Sequence, residues 1–309
     1  MPDIATINGI AEDDIATYNG ATASTVTGVL GNTWVHFSPM VATGGDTHVQ
    51  DGSTDYKVAT FTSGGTFEVT TLGHGLVEYL VIAGGGAGGY NSGSGGGGSG
   101  GYLAGTDLIV AETSYTITIG GGGTGAYNSN GTNGVDSSFG SLKVATGGGG
   151  GGFWNTAGNA GGSGGGGGGI TGSGAAGTAG QGNDGGSAGG NYYGGGGGGS
   201  GAVGVDGGDA TVSQGGAGTA NSITGVSVTR AGGGGGHRQP APNATVSGAA
   251  GGSGGGGNGG ASDGNTATSY GQSGTINTGS GAGGHYDYPS HGNIPNGGSG
   301  VVIIRYKFQ

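Results

Sequence analysis

Short stretches of alternating apolar and polar residues predict β-strands. Apolar and polar residues alternate over Tyr56–Phe61, and they alternate strictly over Tyr115–Ile119. Such alternation is typical of a strand with one buried face, whereas a short continuous apolar run indicates a strand buried on both faces. Continuous runs stand at Val77–Ile82 and Val301–Ile304. No stretch repeats apolar residues with a period of about 3.6, so the pattern predicts an all-β protein.

Turn residues between these stretches predict how the strands are joined. Gly64-Gly65 precedes Thr66–Thr70, and we expect this strand to form a hairpin with the alternating strand before it. The segments Ser137–Gly148 and Asn221–Gly233 each predict one strand that runs into glycine. The last strand, Val301–Phe308, must pair with an earlier one, so the glycine runs between them are tethered at both ends.

Glycine accounts for 95 of the 309 residues and is densest between residues 147 and 298. Ordering a glycine costs roughly 0.5–1 kcal/mol more than ordering an alanine, so an ordered run needs compensating bonds. One candidate is a flexible linker, which needs none. The other is a bundle of polyglycine-II helices, with about three residues per turn, whose backbones bond laterally. The flanking strands favour the bundle, and only 6 prolines with no Gly-X-Y period argue against collagen.

The N-terminal residues have few glycines and contain an internal repeat. Ile4–Gly9 and Ile15–Gly20 lie at a spacing of eleven, and each ends in Asn-Gly. Asn-Gly favours a tight turn because both residues tolerate positive φ. We therefore expect short strand–turn units, with a further strand at Asn32–Phe37. The segment is interpreted as an attachment or oligomerisation element, and a small β-cap is the alternative.

These observations predict a chain of four parts. The fold class is all-β: a β-sandwich-like framework with an inserted array of polyglycine-II helices and a small N-terminal β segment. The parts are an N-terminal attachment/oligomerisation segment (1–50), the β-framework (51–147), the glycine-rich polyglycine-II array with aromatic loops (148–298) and a closing β-strand (299–309).

Composition and charge exclude several classes of function. The formal charge is −11, with 6 basic and 17 acidic residues, whereas nucleic-acid binding depends on Lys and Arg. Without cysteine there are no disulfides or thiolate metal sites. No apolar run approaches the ~20 residues that span a membrane, so we expect no membrane insertion. Met1–Ile4 lacks the features of a secretion signal, which fits a virion protein that leaves the cell by lysis.

Two glycine motifs invite a ligand interpretation. Gly84–Gly89 follows a strand and matches G-x-G-x-x-G, but a dinucleotide fold needs a helix next, and the residues that follow cannot start one. Gly131–Asp136 and Gly201–Asp206 read G-x-x-G-x-D, as in calcium β-rolls. Two isolated copies fit ordinary turns better, so no metal is assigned, although Asp206 and Asp209 could still take a hard cation.

Other candidate chemistry is weaker. His237, His285 and His291 would need to converge to form a metal site, and a recognition loop or exposed turn is the simpler interpretation. No nucleophile, base and acid stand out as a set. We therefore predict no enzyme activity, no catalytic residues and no cofactor.

Aromatic segments interrupt the glycine runs. Exposed Tyr and Trp give a large, rigid contact area at low entropic cost. Rigid glycine helices would gather such loops at their ends, which predicts non-covalent receptor binding there. Alternatively, the aromatic residues cap and fill the ends of the array. The candidate receptor-binding residues are Trp154, Tyr192, Tyr193, His237, Arg238, Tyr286 and Tyr288.

Six motifs follow one another in a characteristic order over roughly residues 56–309. The series is Thr60–Phe67, Glu78–Gly89, Gly101–Leu103, Tyr115–Gly122, Asp136–Gly140 and Gly298–Tyr306. It resembles the glycine-rich domain of tail-fibre and adhesin proteins of tailed bacteriophages. The distal adhesins of T-even-type phages are similar in carrying aromatic loops on a polyglycine-II sandwich.

The resemblance implies a virion fibre or adhesin that recognises the host surface. Its implied partners are a host cell-surface receptor, either a glycan or an outer-membrane protein, and other virion tail proteins that dock through residues 1–50. A homotrimer is the expected oligomer. The alternative is a purely structural fibre, decoration protein, or extracellular matrix or surface-filament protein without a receptor site.

Overall fold

The computed structural model of the chain describes residues 6–7, 10–11, 17–18, 21–22, 39–45, 47–50, 55–73, 75–190, 192–208, 212–239, 247–263, 266–286 and 294–308. These ranges contain no α-helix, and therefore none long and apolar enough to cross a membrane. The fold is all-β, as predicted.

The strands are short outside the framework and longer within it. In chain order they are β1 (Thr6–Ile7), β2 (Ile10–Ala11), β3 (Thr17–Tyr18), β4 (Ala21–Thr22), β5 (Val41–Thr43), β6 (Thr47–Gln50), β7 (Tyr56–Phe61), β8 (Gly65–Thr71), β9 (Leu76–Ile82), β10 (Tyr102–Ile109), β11 (Ser114–Thr118), β12 (Ser137–Phe139), β13 (Lys143–Ala145), β14 (Thr219–Asn221), β15 (Val228–Arg230), β16 (Ala261–Ser262), β17 (Ala267–Ser269) and β18 (Val301–Lys307).

The framework consists of two five-stranded antiparallel sheets that share a core. The first has the order β10-β9-β18-β7-β6, and the second has the order β13-β12-β11-β8-β5. Along β9, Val77, Tyr79 and Val81 face the core between the sheets, while Leu80 and Ile82 face the opposite side. β9 is therefore buried on both faces where it approaches the array, which explains its continuous apolar run.

The C-terminal strand β18 lies inside the first sheet, where it pairs with both β7 and β9. The expectation that it pairs with earlier strands is confirmed. The predicted hairpin of β7 with β8 is wrong, because β8 belongs to the second sheet and pairs with β5 and β11. β18 and β6 take the two edges of β7, so neither is left for β8, and Phe61 and Phe67 enter the common core from opposite sheets.

Each of the two segments predicted as single strands forms a hairpin. β12 pairs with β13 around Gly140, whose φ of 51° suits a turn. β14 pairs with β15, and the adjoining Ile223 and Ala231 pack on the outer face of the first sheet with Leu80 and Ile303. The second hairpin thus covers the apolar outer face near the array.

The glycine runs form an ordered array of polyglycine-II helices. Within residues 84–89, positions three apart bond the same neighbour. One pair donates its N–H groups to segment 95–98, and another pair donates to segment 132–135. A three-residue period is the turn of a polyglycine-II helix, which makes no internal hydrogen bonds and relies on lateral ones.

Residues 94–100 form a helix surrounded on all sides. A Cβ atom on Gly97 would overlap the carbonyl oxygen of Gly86, so there is no room for a side chain. The backbone groups of this helix bond six neighbouring segments, which are 86–89, 149–152, 163–166, 195–198, 234–237 and 279–282.

The array begins at Gly84, inside the range 51–147 that the sequence assigns to the framework. The chain leaves β9 into residues 84–89 and returns through residues 95–101 into β10. Framework and array are therefore interleaved along the chain rather than consecutive.

Residues 1–50 lie only partly within the described ranges. β1 pairs with β2 and β3 pairs with β4. The residues between each pair in the sequence are Asn8-Gly9 and Asn19-Gly20, so the paired strands flank the repeated Asn-Gly. β5 and β6 are edge strands of the two framework sheets. Asn32–Phe37 lies outside the described residues.

Candidate functional site

The aromatic loops collect at one end of the array, opposite the framework. From β9, residues 84–89 lead to Tyr90 before the chain turns back. From β13, residues 147–152 lead to Trp154 in the same way. We call this end distal.

Ring contacts join the distal loops into one surface. The Trp154 and Tyr192 ring centroids are 5.4 Å apart with planes at 33°. The Arg238 guanidinium lies 5.6 Å from the centroid of the neighbouring Tyr193 ring. We call the set the distal cap, and its members are Tyr90, Tyr127, Trp154, Tyr192, Tyr193, His237, Arg238, Tyr270, His285 and Tyr286.

The structure therefore brings together six of the seven candidate residues. His237 and Tyr286 are in edge contact, with centroids 5.8 Å apart. His237 and Arg238 are consecutive, which connects this pair to Tyr193. Tyr288 lies outside the described residues, as does His291.

The distal cap has two layers that differ in exposure. Tyr90, Tyr193, His237 and His285 form an inner layer that is almost completely buried. The side chains of Tyr127, Trp154 and Tyr270 form an outer layer, with 53%, 41% and 57% of their surface exposed. Tyr192, Arg238 and Tyr286 lie between these extremes.

Two of the candidates thus lie too deep for direct contact with a receptor. Tyr193 and His237 belong to the inner layer, so we assign them a supporting role. The capping interpretation describes the inner layer, and the recognition interpretation is compatible with the outer one.

His237 holds the central turn of the cap in place. Its Nδ1 atom accepts a hydrogen bond from the N–H of Gly93 at 2.9 Å, so the neutral ring carries its proton on Nε2. Burial, and secondarily the nearby His285, lowers the pKa of His237 to about 3. His285 is held similarly, since its Nδ1 accepts from the N–H of Gly271 at 3.1 Å.

The two stacked rings of the cap sit on unusual backbone. Trp154 has a φ of 39° and Tyr192 a φ of 59°. Bulky residues rarely adopt such values, and each costs about 1–3 kcal/mol unless the surroundings enforce it. Next to Trp154, the side chain of Asn155 accepts a hydrogen bond from the N–H of Ile170 at 2.8 Å.

Sequence reasoning missed Tyr127 and Tyr270, which are the most exposed rings of the cap. The Tyr127 ring contacts Tyr90, with centroids 5.0 Å apart, and the Tyr270 ring contacts His285 at 6.0 Å. Both interrupt glycine-rich sequence as the other aromatic segments do. The same signal would have found them, although each is a single aromatic residue rather than part of a longer segment.

The acidic residues of the G-x-x-G-x-D motifs bind backbone. Asp136 Oδ1 accepts from the N–H of Gly147 at 2.8 Å, and Asp206 Oδ1 accepts from the N–H of Ser187 at 2.7 Å. Asp209 lies outside the described residues. Within the described ranges, no three His, Asp or Glu side chains are grouped to hold a metal ion.

A family comparison covers most of this architecture. The sequence model of a family described as a glycine-rich domain matches residues 60–307. The chain belongs to this glycine-rich domain family. No curated protein matches the chain.

The match places both parts of the fold in one unit. The glycine-rich domain begins within β7 and ends within β18, two strands that pair with each other. It therefore includes the framework, the array and the distal cap. The family description names a composition and no function.

Proposed function

We propose that the chain is a phage virion fibre or adhesin protein that recognises a host-surface receptor non-covalently through its distal cap. The observation that carries the proposal is the position of the outer layer. Tyr127, Trp154 and Tyr270 come from separate loops and lie exposed at the end of the array that faces away from the framework. Loops positioned by a rigid scaffold are common sites of binding residues.

The chemistry of the array favours recognition by the cap over recognition by the array walls. Glycine surfaces lack side chains and discriminate poorly between partners. Aromatic side chains already held in place lose little entropy on binding. The formal charge of −11 opposes attraction to an anionic cell surface, so shape and hydrogen bonding would dominate.

The proposed assembly is a homotrimer docked to other virion tail proteins through residues 1–50. Several caps on one particle would raise avidity without new contacts at each site. The protein would be extracellular after lysis, as part of a tail or surface fibre.

A purely structural fibre, decoration or surface-filament protein is the alternative, and the inner layer favours it. Tyr90, Tyr193 and His237 are buried and would close the end of the array whether or not the outer layer binds anything. Host recognition requires the outer layer to bind a receptor, whereas a purely structural role does not.

Substitutions in the outer layer separate the two functions. In purified virions, identified by mass spectrometry as containing the protein, we expect Trp154→Ala together with Tyr270→Ser to reduce adsorption to host cells about tenfold or more. Both side chains are exposed, so folding and incorporation should be unchanged. Ile276→Ala is the matched control, because Ile276 is 70% exposed in a loop at the framework end.

Normal adsorption of the double variant would show that the cap is structural. Absence of the protein from virions would contradict the fibre assignment itself. Deletion of residues 1–50 tests docking separately, since a deleted form that still enters particles would refute that assignment.

A further inference from the structure

Aromatic residues stand next to asparagine in several loops of the distal cap. The pairs are Tyr90-Asn91, Tyr127-Asn128 and Trp154-Asn155. Such a pair places a flat apolar ring beside an amide, which combines stacking with hydrogen bonding.

In two of these pairs the amide is fixed so that it offers donors to solvent. Asn155 Oδ1 accepts from the N–H of Ile170 at 2.8 Å, and Asn128 Oδ1 accepts from Asn91 Nδ2 at 3.1 Å. Both side chains are exposed, and neither Nδ2 group donates to a described residue. The oxygen atoms are therefore used inside the protein, and the N–H groups remain for a ligand.

Three loops are joined into one platform. Asn130 Oδ1 accepts from the N–H of Phe153 at 2.9 Å, which links loop 126–130 to loop 153–156. The contact between the Trp154 and Tyr192 rings links the second loop to residues 192–193. Tyr192 is the more buried residue of the pair, and Trp154 remains 41% exposed.

The platform carries no charged residue. Residues 126–130, 153–156 and 192–193 contain no Lys, Arg, Asp or Glu, in a chain with a formal charge of −11. Arg238 packs on the buried Tyr193 ring, 5.6 Å from its centroid, and the three loops themselves offer an anionic ligand no countercharge. A neutral ligand with an apolar face and several acceptor oxygens fits the rings and the outward N–H groups best.

We propose that these three loops bind a neutral saccharide. The Trp154 indole contacts the C–H face of a sugar ring, and the Nδ2 groups of Asn128 and Asn155 donate to its hydroxyl or ring oxygens. This inference rests on the proposed host-surface recognition and narrows the receptor to a glycan.

The test is binding of the purified full-length protein to an array of bacterial surface polysaccharides, both neutral and acidic. We expect retention on neutral polysaccharides, reduced about tenfold by Trp154→Ala and severalfold by Asn155→Asp. The aspartate keeps an acceptor for the Ile170 N–H but removes the donor, so it separates ligand binding from loop structure. Ile276→Ala should bind as the unsubstituted protein does.

A second arm uses whole cells of a strain that the virion infects. Periodate, which cleaves sugar vicinal diols, should abolish binding of the protein, while protease treatment of the cells should leave it intact. Protease-sensitive, periodate-resistant binding, without retention of neutral polysaccharides, would overturn the saccharide proposal and leave host recognition standing. Equal binding by Asn155→Asp would overturn the donor role. Absence of binding to both cells and polysaccharides would overturn the proposed function as well.

Discussion

Gly86 illustrates why single residues in the array tolerate no side chain. A Cβ atom there would overlap the carbonyl oxygen of Gly149, which is backbone and cannot move aside cheaply. We expect Gly86→Ala to lower the free energy of unfolding by about 3 kcal/mol or more. Gly121 is the control, because a Cβ atom there would meet nothing within 4 Å.

Thermal or denaturant unfolding of both variants measures the difference. Gly121→Ala should change stability by no more than about 1 kcal/mol, in either direction. Equal stability of the two variants would mean that the glycine runs are not packed as described.

His237 makes the stability of the cap depend on pH. Its pKa is lowered to about 3 in the folded protein, from an unfolded value of about 6.5. As pH falls through this window the unfolded chain gains a proton that the folded protein does not, so the free energy of unfolding decreases by up to about 1.4 kcal/mol per pH unit. Above about pH 6.5 the histidine is neutral in both the folded and the unfolded state, and the full stability is present.

The variant His237→Asn provides the comparison for this pH dependence. Asparagine keeps an acceptor for the Gly93 N–H but does not titrate. Subtracting its pH profile of unfolding from that of the unsubstituted protein should isolate the His237 contribution. Identical profiles between pH values of about 3 and 6.5 would contradict the buried, neutral state of His237.

Exposure of single side chains is what the sequence of the cap could not predict. Tyr192 and Tyr193 are adjacent and of the same type, yet only Tyr193 is buried. Their difference depends on contacts with Trp154 and Arg238, which are distant in the sequence. The aromatic segments predict that a cap exists, and only the fold separates its two layers.

Among the elements, the helices at the edge of the array solve a problem that the central ones do not have. At the edge of the array, some N–H groups face a side on which no backbone carbonyl is placed to accept a hydrogen bond from them. Asn130, Asn133 and Asp136 lie three residues apart on one such helix. Their Oδ1 atoms accept from the N–H groups of Phe153, Gly150 and Gly147, which are also three apart.

This ladder explains the G-x-x-G-x-D motif without a cation. The side-chain oxygen takes the place of a carbonyl group from a missing neighbour. We expect Asp136→Ala to cost about 1–3 kcal/mol, because the Gly147 N–H is then buried without its acceptor. Asp136→Asn retains an acceptor and should cost less in the same unfolding experiment. Equal losses in the two variants would contradict the ladder.

The glycine pattern of the sequence also distinguishes helices at the edge of the array from helices at its centre. Continuous glycine marks helices that are enclosed, whereas glycine at every third position marks an edge. In residues 201–207, Gly204 and Gly207 face neighbouring backbone, and Val203 and Val205 are exposed. The separation of β7 and β8 into different sheets is harder to predict, because a local hairpin and a crossing between sheets have the same alternation and the same glycine turn.

At the scale of the whole molecule, the chain alternates between two ends of the array. Residues 84–89 span roughly 19 Å at about 3.1 Å per residue, and the aromatic segments fall where such segments end away from the sheets. Turns at the framework end carry other sequence, such as Thr178–Gln181 and the β14–β15 hairpin. This alternation gathers the cap at one end of the array, whereas the aromatic segments predict only that such loops lie at its ends. Which end carries the cap depends on where each strand enters the array.

Hydrogen exchange of the glycine amides tests most directly whether the array is ordered. The array predicts that amides of the enclosed segments 95–100 and 195–198 exchange about a thousandfold or more slower than free peptide, because each is bonded to a neighbouring backbone. Edge segments should exchange faster than these. Exchange throughout residues 147–298 at the rate of free peptide would contradict the array, and with it a rigid support for the distal cap.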